Sequence, residues 1–275
     1  MSAEREEAKQ RFAAFAAQQT NDLPLDTGSL LVNEVIEPTA DVPYVWRALE
    51  GIATSLRDRI SAGDSPLSSL NLLSEHLFDH IGFRGAEKDY YDPRNSLLCE
   101  VVQRRVGIPI SLSIVYMEVG RRLSIPLVGV GMPAHFLVRH ADEPKLFVDT
   151  FHGGVLLTEA ECAALLRNAS PDSRWDKRFL DPIDNRAILA RVLRNLTGIR
   201  VQRDDVPRAE VTLDLLVMLQ PDQPAHRRDR GLMRYKLGAI DQALADLEAY
   251  LDSNPSAPDT ARIGQLATYL KGQRA

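Results

Sequence analysis

The sequence predicts an α+β domain, in which helices pack on a small antiparallel sheet, followed by an all-α helical array. Three patterns lead to this prediction: helical periodicity through the first hundred residues, short strand-like runs that begin at Leu127, and a 34-residue recurrence near the C-terminus. We expect the first domain at residues 1–180 and the helical array at residues 184–275. The charged, proline-containing stretch Pro171–Asp184 is interpreted as the linker between them.

The composition is that of an ordinary soluble globular protein. Of the 275 residues 44% are hydrophobic, and 33 basic against 38 acidic residues give a formal net charge of -5 without a long block of one sign. A nucleic-acid or anionic-membrane partner is therefore not favoured. The first 19 residues have amphipathic helix spacing and lack the apolar core of a signal peptide, and no apolar stretch approaches membrane-spanning length. A cytoplasmic location is expected.

The first hundred or so residues predict helices separated by proline and glycine. Three of them are expected at Val42–Ser61, Leu67–Ile81 and Asn95–Arg105. Gly107-Ile108-Pro109 then interrupts the pattern, and a further helix is expected from Ser111 to Leu123. Because this last helix is rich in apolar side chains, we expect it to be the central, buried one.

Short apolar runs after Leu127 predict an antiparallel sheet. The strands are expected at Leu127–Gly131, His135–His140 and Lys145–Phe151. If Val138 pairs with Leu146 across the turn Ala141-Asp142-Glu143, His135 lies directly opposite Asp149. A slip of one residue would move these side chains to opposite faces.

The part of the sequence after the sheet predicts helices again. Thr158-Glu159-Ala160-Glu161 is a capping box, which marks the start of a helix. Beyond the linker, a 34-residue period relates Ala209, Leu213, Pro221 and Pro224 to Ala243, Leu247, Pro255 and Pro258. That period is typical of tetratricopeptide helix pairs, which need small residues such as Gly231 where their two helices approach closely. Unrelated helical hairpins with this spacing are the alternative. A final helix is expected at Asp259–Leu270.

Ser111, His135 and Asp149 form a candidate nucleophile, base and orienting group. A hydroxyl in the first turn of a helix faces free backbone N–H groups, which stabilise a developing oxyanion. Imidazole from His135 would act as the general base, and Asp149 would fix its tautomer. The alternative is structural: a helix-capping serine, a half-buried histidine of a sheet and an aspartate in a turn.

Several motifs resemble a known family. The runs Gly107-Ile-Pro-Ile-Ser-Leu-Ser, Pro133-Ala-His-Phe-Leu-Val and Phe147-Val-Asp-Thr-Phe resemble the transglutaminase-like core of the papain-like superfamily, where a cysteine at a helix N-terminus meets a histidine and an aspartate. With Gly82-Phe-Arg-Gly85, Tyr90-Tyr-Asp-Pro-Arg-Asn-Ser96 and the repeats, about residues 30 to 270 resemble the bacterial SirB family, named for an invasion regulator.

The resemblance assigns His135 and Asp149 to the family's histidine and aspartate. The cysteine position falls on Ser111 or on Ser113, which implies a degenerate site, because a serine hydroxyl is a weak nucleophile where a thiolate is expected. Tyr91 and Asn95 would form a wall of the cleft. We expect a protein- or peptide-binding or regulatory module that acts through its cleft and its repeats, without a cofactor. The alternatives are a serine-dependent amidase, peptidase or acyl transferase, and an adaptor that binds through the repeats alone.

Other candidate groups do not predict chemistry. Cys99 and Cys162 lie among apolar residues and are interpreted as buried free thiols rather than disulfide or zinc ligands. His76 and His80 share one helix face, but neither a third ligand nor a metalloprotease motif is evident. They are interpreted as solvated or capping residues, and no metal site is predicted.

Overall fold

The computed structural model describes residues 3–61, 63–253 and 256–273 of the chain. The helices of these residues are, in chain order, α1 (Ala3–Ala16), α2 (Leu25–Ile36), α3 (Val42–Leu56), α4 (Pro66–Ser74), α5 (Leu98–Arg104), α6 (Pro109–Arg122), α7 (Glu159–Ala169), α8 (Asn185–Gln202), α9 (Val206–Leu219), α10 (Pro224–Lys236), α11 (Ile240–Ser253) and α12 (Thr260–Gly272). The strands are β1 (Arg84–Gly85), β2 (Val106–Gly107), β3 (Leu127–Val130), β4 (Leu137–His140), β5 (Phe147–Asp149), β6 (Val155–Leu157) and β7 (Pro182–Ile183). The α+β fold class followed by a helical array is confirmed.

The chain forms two compact units. One contains the described residues of Gln19–Val192, and the other contains those of Met1–Gln18 and Leu193–Ala275. The division into 1–180 and 184–275 stays a prediction, and these units differ from it in two ways. The amphipathic helix α1 belongs to the unit of the C-terminal helices. The boundary between the units falls inside α8, which runs without a break from Asn185 to Gln202.

The stretch Pro171–Asp184 is not the structureless linker that the sequence predicts. It contains a 3₁₀ turn, Lys177–Leu180, and the edge strand β7, which pairs with β3. Pro182 is compatible with a strand at this place, because an edge strand has one row of backbone groups without a ladder partner. These residues therefore belong to the sheet of the first unit.

Helix α6 is the central helix of the unit Gln19–Val192. All of its residues from Pro109 to Gly120 are buried, as the sequence predicts. It begins at Pro109 rather than Ser111, because proline suits the first position of a helix, where its missing N–H has no helical partner to lose. Tyr116, which is fully buried, donates its phenolic hydrogen bond to the Leu70 carbonyl at 3.0 Å and so ties α6 to α4.

The main sheet is antiparallel, with strand order β6-β5-β4-β3-β7. The predicted register of its central hairpin is wrong by two residues, since Val138 pairs with Val148 rather than with Leu146. The predicted register would place Pro144 opposite His140 inside the ladder, where its missing N–H costs a hydrogen bond. In the structure residues 141–146 form the connection, and Pro144 lies within it. A shift of two residues leaves every side chain on its predicted face.

Other boundaries in this unit differ from the predictions. Helix α3 begins at Val42 as predicted but ends at Leu56, and a 3₁₀ turn follows it. The helix predicted at Leu67–Ile81 is α4 followed by a π-helical segment, Glu75–His80. The predicted cap of α7 is confirmed, because the Thr158 hydroxyl accepts from the Glu161 backbone N–H and the Glu161 carboxylate accepts from that of Thr158.

Helices α10 and α11 approach closely in the second unit. A Cβ added to Gly231 would lie 2.9 Å from Cδ2 of Leu247 and 3.2 Å from the Ala243 carbonyl oxygen. The predicted need for small residues at Gly231 and Ala243 is therefore confirmed. In the first helix pair Thr197 stands at the equivalent position, and its hydroxyl donates to Thr212 at 3.0 Å. Pro255, part of the predicted repeat, lies outside the described residues.

Ion pairs also connect the helices of this unit. Buried Arg230 of α10 contacts Asp214 of α9 at 2.6 Å and Asp246 of α11 at 2.5 Å. Lys9 of α1 pairs with Asp214 as well, which explains why α1 belongs to this unit. No helix in the described ranges is long and apolar enough to cross a membrane.

The contact at Gly231 predicts an unequal response of two helical glycines to alanine. An added Cβ at Gly264 in α12 has no atom within 4 Å, so Gly264→Ala should stabilise the protein by up to about 1 kcal/mol through helix propensity. The free energy of unfolding of Gly231→Ala should be about 1–3 kcal/mol lower than that of Gly264→Ala, because the added methyl group overpacks the contact with Leu247. Urea unfolding of both variants measures the difference. Equal stabilities would contradict the close approach.

Candidate functional site

His135 is positioned by a turn that precedes β4. The backbone N–H of His135 donates to the Met132 carbonyl at 3.2 Å, with Pro133 and Ala134 in the middle of the turn. Ala134 has a φ of 60°, a conformation that costs free energy for a residue with a Cβ. Arg191 holds the turn, since its guanidinium donates to the Met132 carbonyl at 2.9 Å and to the His135 carbonyl at 2.8 Å.

Asp149 is the last residue of β5 and meets the imidazole of His135. Nε2 of His135 lies 2.9 Å from Oδ1 of Asp149, and the residues are only 8% and 2% exposed. The ring nitrogen is not aligned to make a regular hydrogen bond with the carboxylate, so the two groups are in close polar contact. The predicted proximity of the two side chains is present, although His135 lies before β4 rather than directly opposite Asp149 in the ladder.

The turn after β5 completes the surroundings of the carboxylate. Oδ1 of Asp149 accepts hydrogen bonds from the backbone N–H groups of Phe151 at 3.1 Å and His152 at 3.2 Å. Burial raises the pKa of Asp149, but the neighbouring His135 and His152 imidazoles outweigh this effect and hold the pKa below its ordinary value. The carboxylate is therefore ionised at neutral pH.

His152 is the site residue that sequence reasoning missed. Its Nδ1 lies 2.8 Å from Oδ2 of Asp149, and its ring stacks on that of His135 with centroids 5.9 Å apart. The side chain is 52% exposed, so this imidazole is the solvent-facing member of the group. The available signal was its spacing of three residues from Asp149, just before Gly153 and Gly154, which favours a tight turn.

The turn that contains His152 packs against the end of α4. Gly154 has a φ of 75°, and a Cβ added there would lie 2.5 Å from the Ser74 hydroxyl and 2.7 Å from the Phe78 ring. Phe78 belongs to the π-helical segment Glu75–His80. Only glycine is compatible with both the left-handed backbone and this contact.

Ser111 is fixed by hydrogen bonds other than one to His135. Its hydroxyl accepts from the Ile108 backbone N–H at 3.0 Å. The hydroxyl oxygen lies 2.6 Å from the Asn95 carbonyl oxygen and 3.1 Å from that of Ile108, to which it can donate. The residue is 2% exposed. Within the described residues no hydrogen bond joins it to His135. Its observed contacts close the N-terminal turn of α6, and its assignment as a nucleophile stays a prediction.

Ser113, the other candidate nucleophile, is fully buried. Its hydroxyl lies 2.9 Å from the Thr150 hydroxyl, and Thr150 in turn donates to the Pro109 carbonyl at 3.2 Å. These contacts connect the start of α6 to the residue that follows Asp149. Ser113 therefore helps to fix Thr150, the residue next to Asp149.

The two cysteines cannot replace a missing nucleophile. Burial raises the pKa of Cys99 to about 12. Burial, followed by the negative charge of Asp149, raises the pKa of Cys162 to about 12 as well. A thiol acts as a nucleophile only when it is ionised, so both are inert at neutral pH. The interpretation of both residues as buried free thiols is confirmed.

A cleft of about 830 Å³ lies beside His152. We call it the His152 cleft; it is lined by Arg84, Lys88, Asn95, Phe151 and His152, among others. Asn95, a predicted wall residue, donates to the Asp89 carbonyl at 2.7 Å and accepts from Arg104 at 2.9 Å. Tyr91 is 61% exposed, and its ring contacts Tyr90 edge to face at 5.2 Å.

The exposed pair His76 and His80 makes local contacts. Nε2 of His76 lies 2.9 Å from the Ser55 hydroxyl, and Nε2 of His80 lies 2.9 Å from the Glu75 carboxylate. Among the described residues, the three potential metal ligands that come together are instead His135, Asp149 and His152.

Comparison with known proteins agrees with this architecture. Residues 44–194 match the transglutaminase-like superfamily, and residues 196–268 match the tetratricopeptide repeat. The chain therefore belongs to the transglutaminase-like superfamily and continues into tetratricopeptide repeats.

Within that superfamily the chain belongs to the SirB family. It is 38% identical over 265 residues to a UPF0162 protein of Xylella fastidiosa, which covers 94% of both chains. It is 25% identical over 252 residues to Protein SirB1 of Salmonella typhimurium, covering 91% of this chain and 94% of that protein. F-box only protein 21 of Mus musculus is 29% identical over 233 residues, or 71% of this chain and 36% of that protein. The predicted family is confirmed.

The contacts of Ser111 predict that its hydroxyl is important for stability. Ser111→Ala should lower the free energy of unfolding by about 1–3 kcal/mol, because it removes two buried hydrogen bonds and leaves the Ile108 N–H and the Asn95 carbonyl only their long mutual contact of 3.4 Å. Denaturant unfolding followed by circular dichroism measures the change. The matched control is Ser55→Ala on the exposed face of α3, which should stay within about 0.5 kcal/mol of the wild type. Wild-type stability of Ser111→Ala would contradict a structural role.

Proposed function

We propose that this protein is a catalytically degenerate transglutaminase-like protein that acts as a protein- or peptide-binding module in the cytoplasm. The His152 cleft would hold a segment of the partner, and the repeats would supply a second binding surface. One observation supports this proposal above all others: the Ser111 hydroxyl is buried and engaged with Asn95 and Ile108 instead of with His135.

The chemistry of serine explains the expected loss of catalysis. A cysteine in such a site is ionised by a neighbouring imidazole and by the helix N-terminus, and it then attacks without further activation. A serine hydroxyl needs a general base within hydrogen-bond reach in the productive complex. Here the proton of Ser111 is directed at carbonyl oxygens, and removing a nucleophile costs on the order of a millionfold in turnover in a serine protease.

The His152 cleft has the chemistry of a peptide site. Exposed Arg84 and Lys88 lie on it with the acidic residues Asp79 and Glu87, and Phe151 supplies an aromatic surface. Charged groups of both signs beside an aromatic ring suit a polypeptide segment with polar and apolar side chains. The second unit adds tetratricopeptide helix pairs, whose stacked repeats commonly bind peptides or partner helices.

The retained His135–Asp149 pair favours a second candidate function. In this function Nε2 of His135 would carry the ring proton beside the Asp149 carboxylate, and Nδ1 would accept a proton as the general base. A serine-dependent amidase, peptidase or acyl transferase would then use Ser111 after a rearrangement of its hydrogen bonds.

Labelling with a fluorophosphonate probe separates the two functions. We expect no labelling of the full chain under conditions that label a control serine hydrolase completely, because the Ser111 hydroxyl is buried and unactivated. Mass spectrometry of the intact protein measures the adduct. An adduct that forms on the wild type and is absent from Ser111→Ala would establish the enzyme and refute the binding module as the main function.

Selection of a displayed peptide library against the full chain tests the binding function directly. Arg84→Glu/Lys88→Glu should weaken the selected peptides at least about tenfold, because it reverses two charges on the cleft. The control is Arg47→Glu/Arg57→Glu, at exposed positions of α3 and of the 3₁₀ turn that follows it, which makes the same change in net charge away from the cleft. Fluorescence anisotropy measures each affinity. Selection of no peptide, or equal weakening by both double variants, would contradict binding in the cleft.

A further inference from the structure

Three potential ligand atoms meet at the edge of the His152 cleft. Nε2 of His135, a carboxylate oxygen of Asp149 and Nδ1 of His152 all lie within 4.8 Å of one another. They come from three separate places in the chain: the turn before β4, the end of β5 and the turn after it. Two imidazoles and one carboxylate form a donor set that divalent first-row transition ions commonly bind in proteins.

The buried nitrogen of His135 is an independent sign of a ligand. Nε2 of His135 is buried and makes no regular hydrogen bond, although Oδ1 of Asp149 is 2.9 Å away. Buried polar atoms are nearly always hydrogen-bonded, and an exception calls for an explanation. This geometry is explained if Nε2 carries a lone pair that is directed at a position shared by the three side chains. An N–H group directed at the carboxylate would instead make a hydrogen bond.

We propose that His135, Asp149 and His152 bind one divalent transition-metal ion, with Zn²⁺ as the best fit. Zinc takes imidazole nitrogen and carboxylate oxygen at about 2.0–2.2 Å, which places neighbouring ligand atoms about 3.4 Å apart in a tetrahedral site. The contacts of 2.9 Å and 2.8 Å are made by different oxygens of Asp149, Oδ1 toward His135 and Oδ2 toward His152, so an ion held by one oxygen requires a histidine nitrogen to move toward that oxygen. The half-exposed His152 ring can supply this movement.

Binding of the ion requires a defined protonation of each ligand. Both imidazoles must be neutral, with the proton of His135 on Nδ1 and that of His152 on Nε2, so that the ligating nitrogens offer lone pairs. Asp149 offers a carboxylate oxygen, which is a ligand only in the ionised form. No covalent bond is broken, and the ion replaces the contacts between the carboxylate and the two rings.

The surroundings of the three side chains suit a metal site. The Phe151 and His152 backbone N–H groups orient the Asp149 carboxylate, as outer groups do for metal ligands. The Phe151 ring meets both imidazoles edge to face, with ring centroids 6.3 Å from His135 and 5.1 Å from His152. Three protein ligands leave a fourth position free, and since His152 lines the cleft, a donor atom of a bound molecule can reach it.

This proposal does not depend on peptide binding. A chain that binds no peptide can still bind zinc, and a chain that binds no zinc can still use its cleft. The competing sites for zinc are His76 and His80, an exposed pair at a spacing that binds metal weakly on other helices. The experiment therefore includes the variant His76→Ala/His80→Ala as its matched control.

Calorimetric titration of the full chain without an affinity tag, with Zn²⁺ as the probe, tests the proposal. We expect one ion per chain in the wild type and in His76→Ala/His80→Ala. His152→Ala should lower the affinity at least about 100-fold, since even the loss of an outer group costs 10–100-fold at metal sites. Because His152 contacts the buried Asp149 carboxylate, circular dichroism of His152→Ala without metal verifies that the variant is folded before its affinity is compared. No stoichiometric binding, or binding that only the His76/His80 variant loses, would overturn the proposal.

A second variant identifies the ligand spectroscopically. His152→Cys should still bind Co²⁺, used as the probe in place of Zn²⁺, and should show a thiolate-to-cobalt charge-transfer band that the wild type does not show. The two native cysteines give no such band, because they are buried and protonated. A folded His152→Cys protein that binds Co²⁺ without this band would show that residue 152 is not a ligand and would overturn the proposal.

Discussion

The ionised carboxylate of Asp149 has to be stabilised inside the protein, and much of the first unit is arranged around it. A buried charge without partners is strongly destabilising, so the fold must supply opposite charge and hydrogen-bond donors. Two backbone N–H groups donate to it here, and nitrogens of His135 and His152 lie 2.9 Å and 2.8 Å from its oxygens. The register of β5, the turn that follows it and the turn before β4 all have to be correct at once for these partners to meet.

Ser111 and the His135–Asp149 pair make separate sets of contacts in this unit. His135 and Asp149 are in contact, whereas Ser111 holds the N-terminal turn of α6 closed through Asn95 and Ile108. A hydroxyl is well suited to that second role, because it donates and accepts in one buried position. The proposed binding function uses the histidine and the aspartate and does not require a reactive group at position 111.

The sequence predicted the features that depend on local patterns. Periodicity placed α3 and α6, the capping box placed the start of α7, and the repeat period placed Gly231 at a close helix contact. The sequence also predicted that His135 lies near Asp149, and the two side chains are in contact although the register was wrong by two residues and His135 lies in the turn before β4. A register shift by an even number of residues leaves each side chain on the same face of the sheet. The face on which a side chain lies is therefore predicted more reliably than the residue that it pairs with.

Features that depend on contacts distant in sequence were not predictable in this way. Pro182 favoured a linker, because the pairing of β7 with β3 is visible only in three dimensions. The grouping of α1 with the repeats depends on Lys9 meeting Asp214. His152 was missed because a turn histidine has no periodic signal, and its role follows only from the position of Asp149.

The contact between Gly154 and the end of α4 makes the sheet and a distant helix interdependent. A methyl group at this one position would collide with Ser74 and Phe78 and would push the loop that holds the outer imidazole away from its carboxylate. Larger side chains in the π-helical segment should therefore weaken binding at the site, although this segment lies far along the chain from His135 and His152. In related chains, we expect side-chain size at position 154 and at positions 74 and 78 to vary together. A residue larger than glycine at position 154 should occur only with smaller side chains at the other two positions.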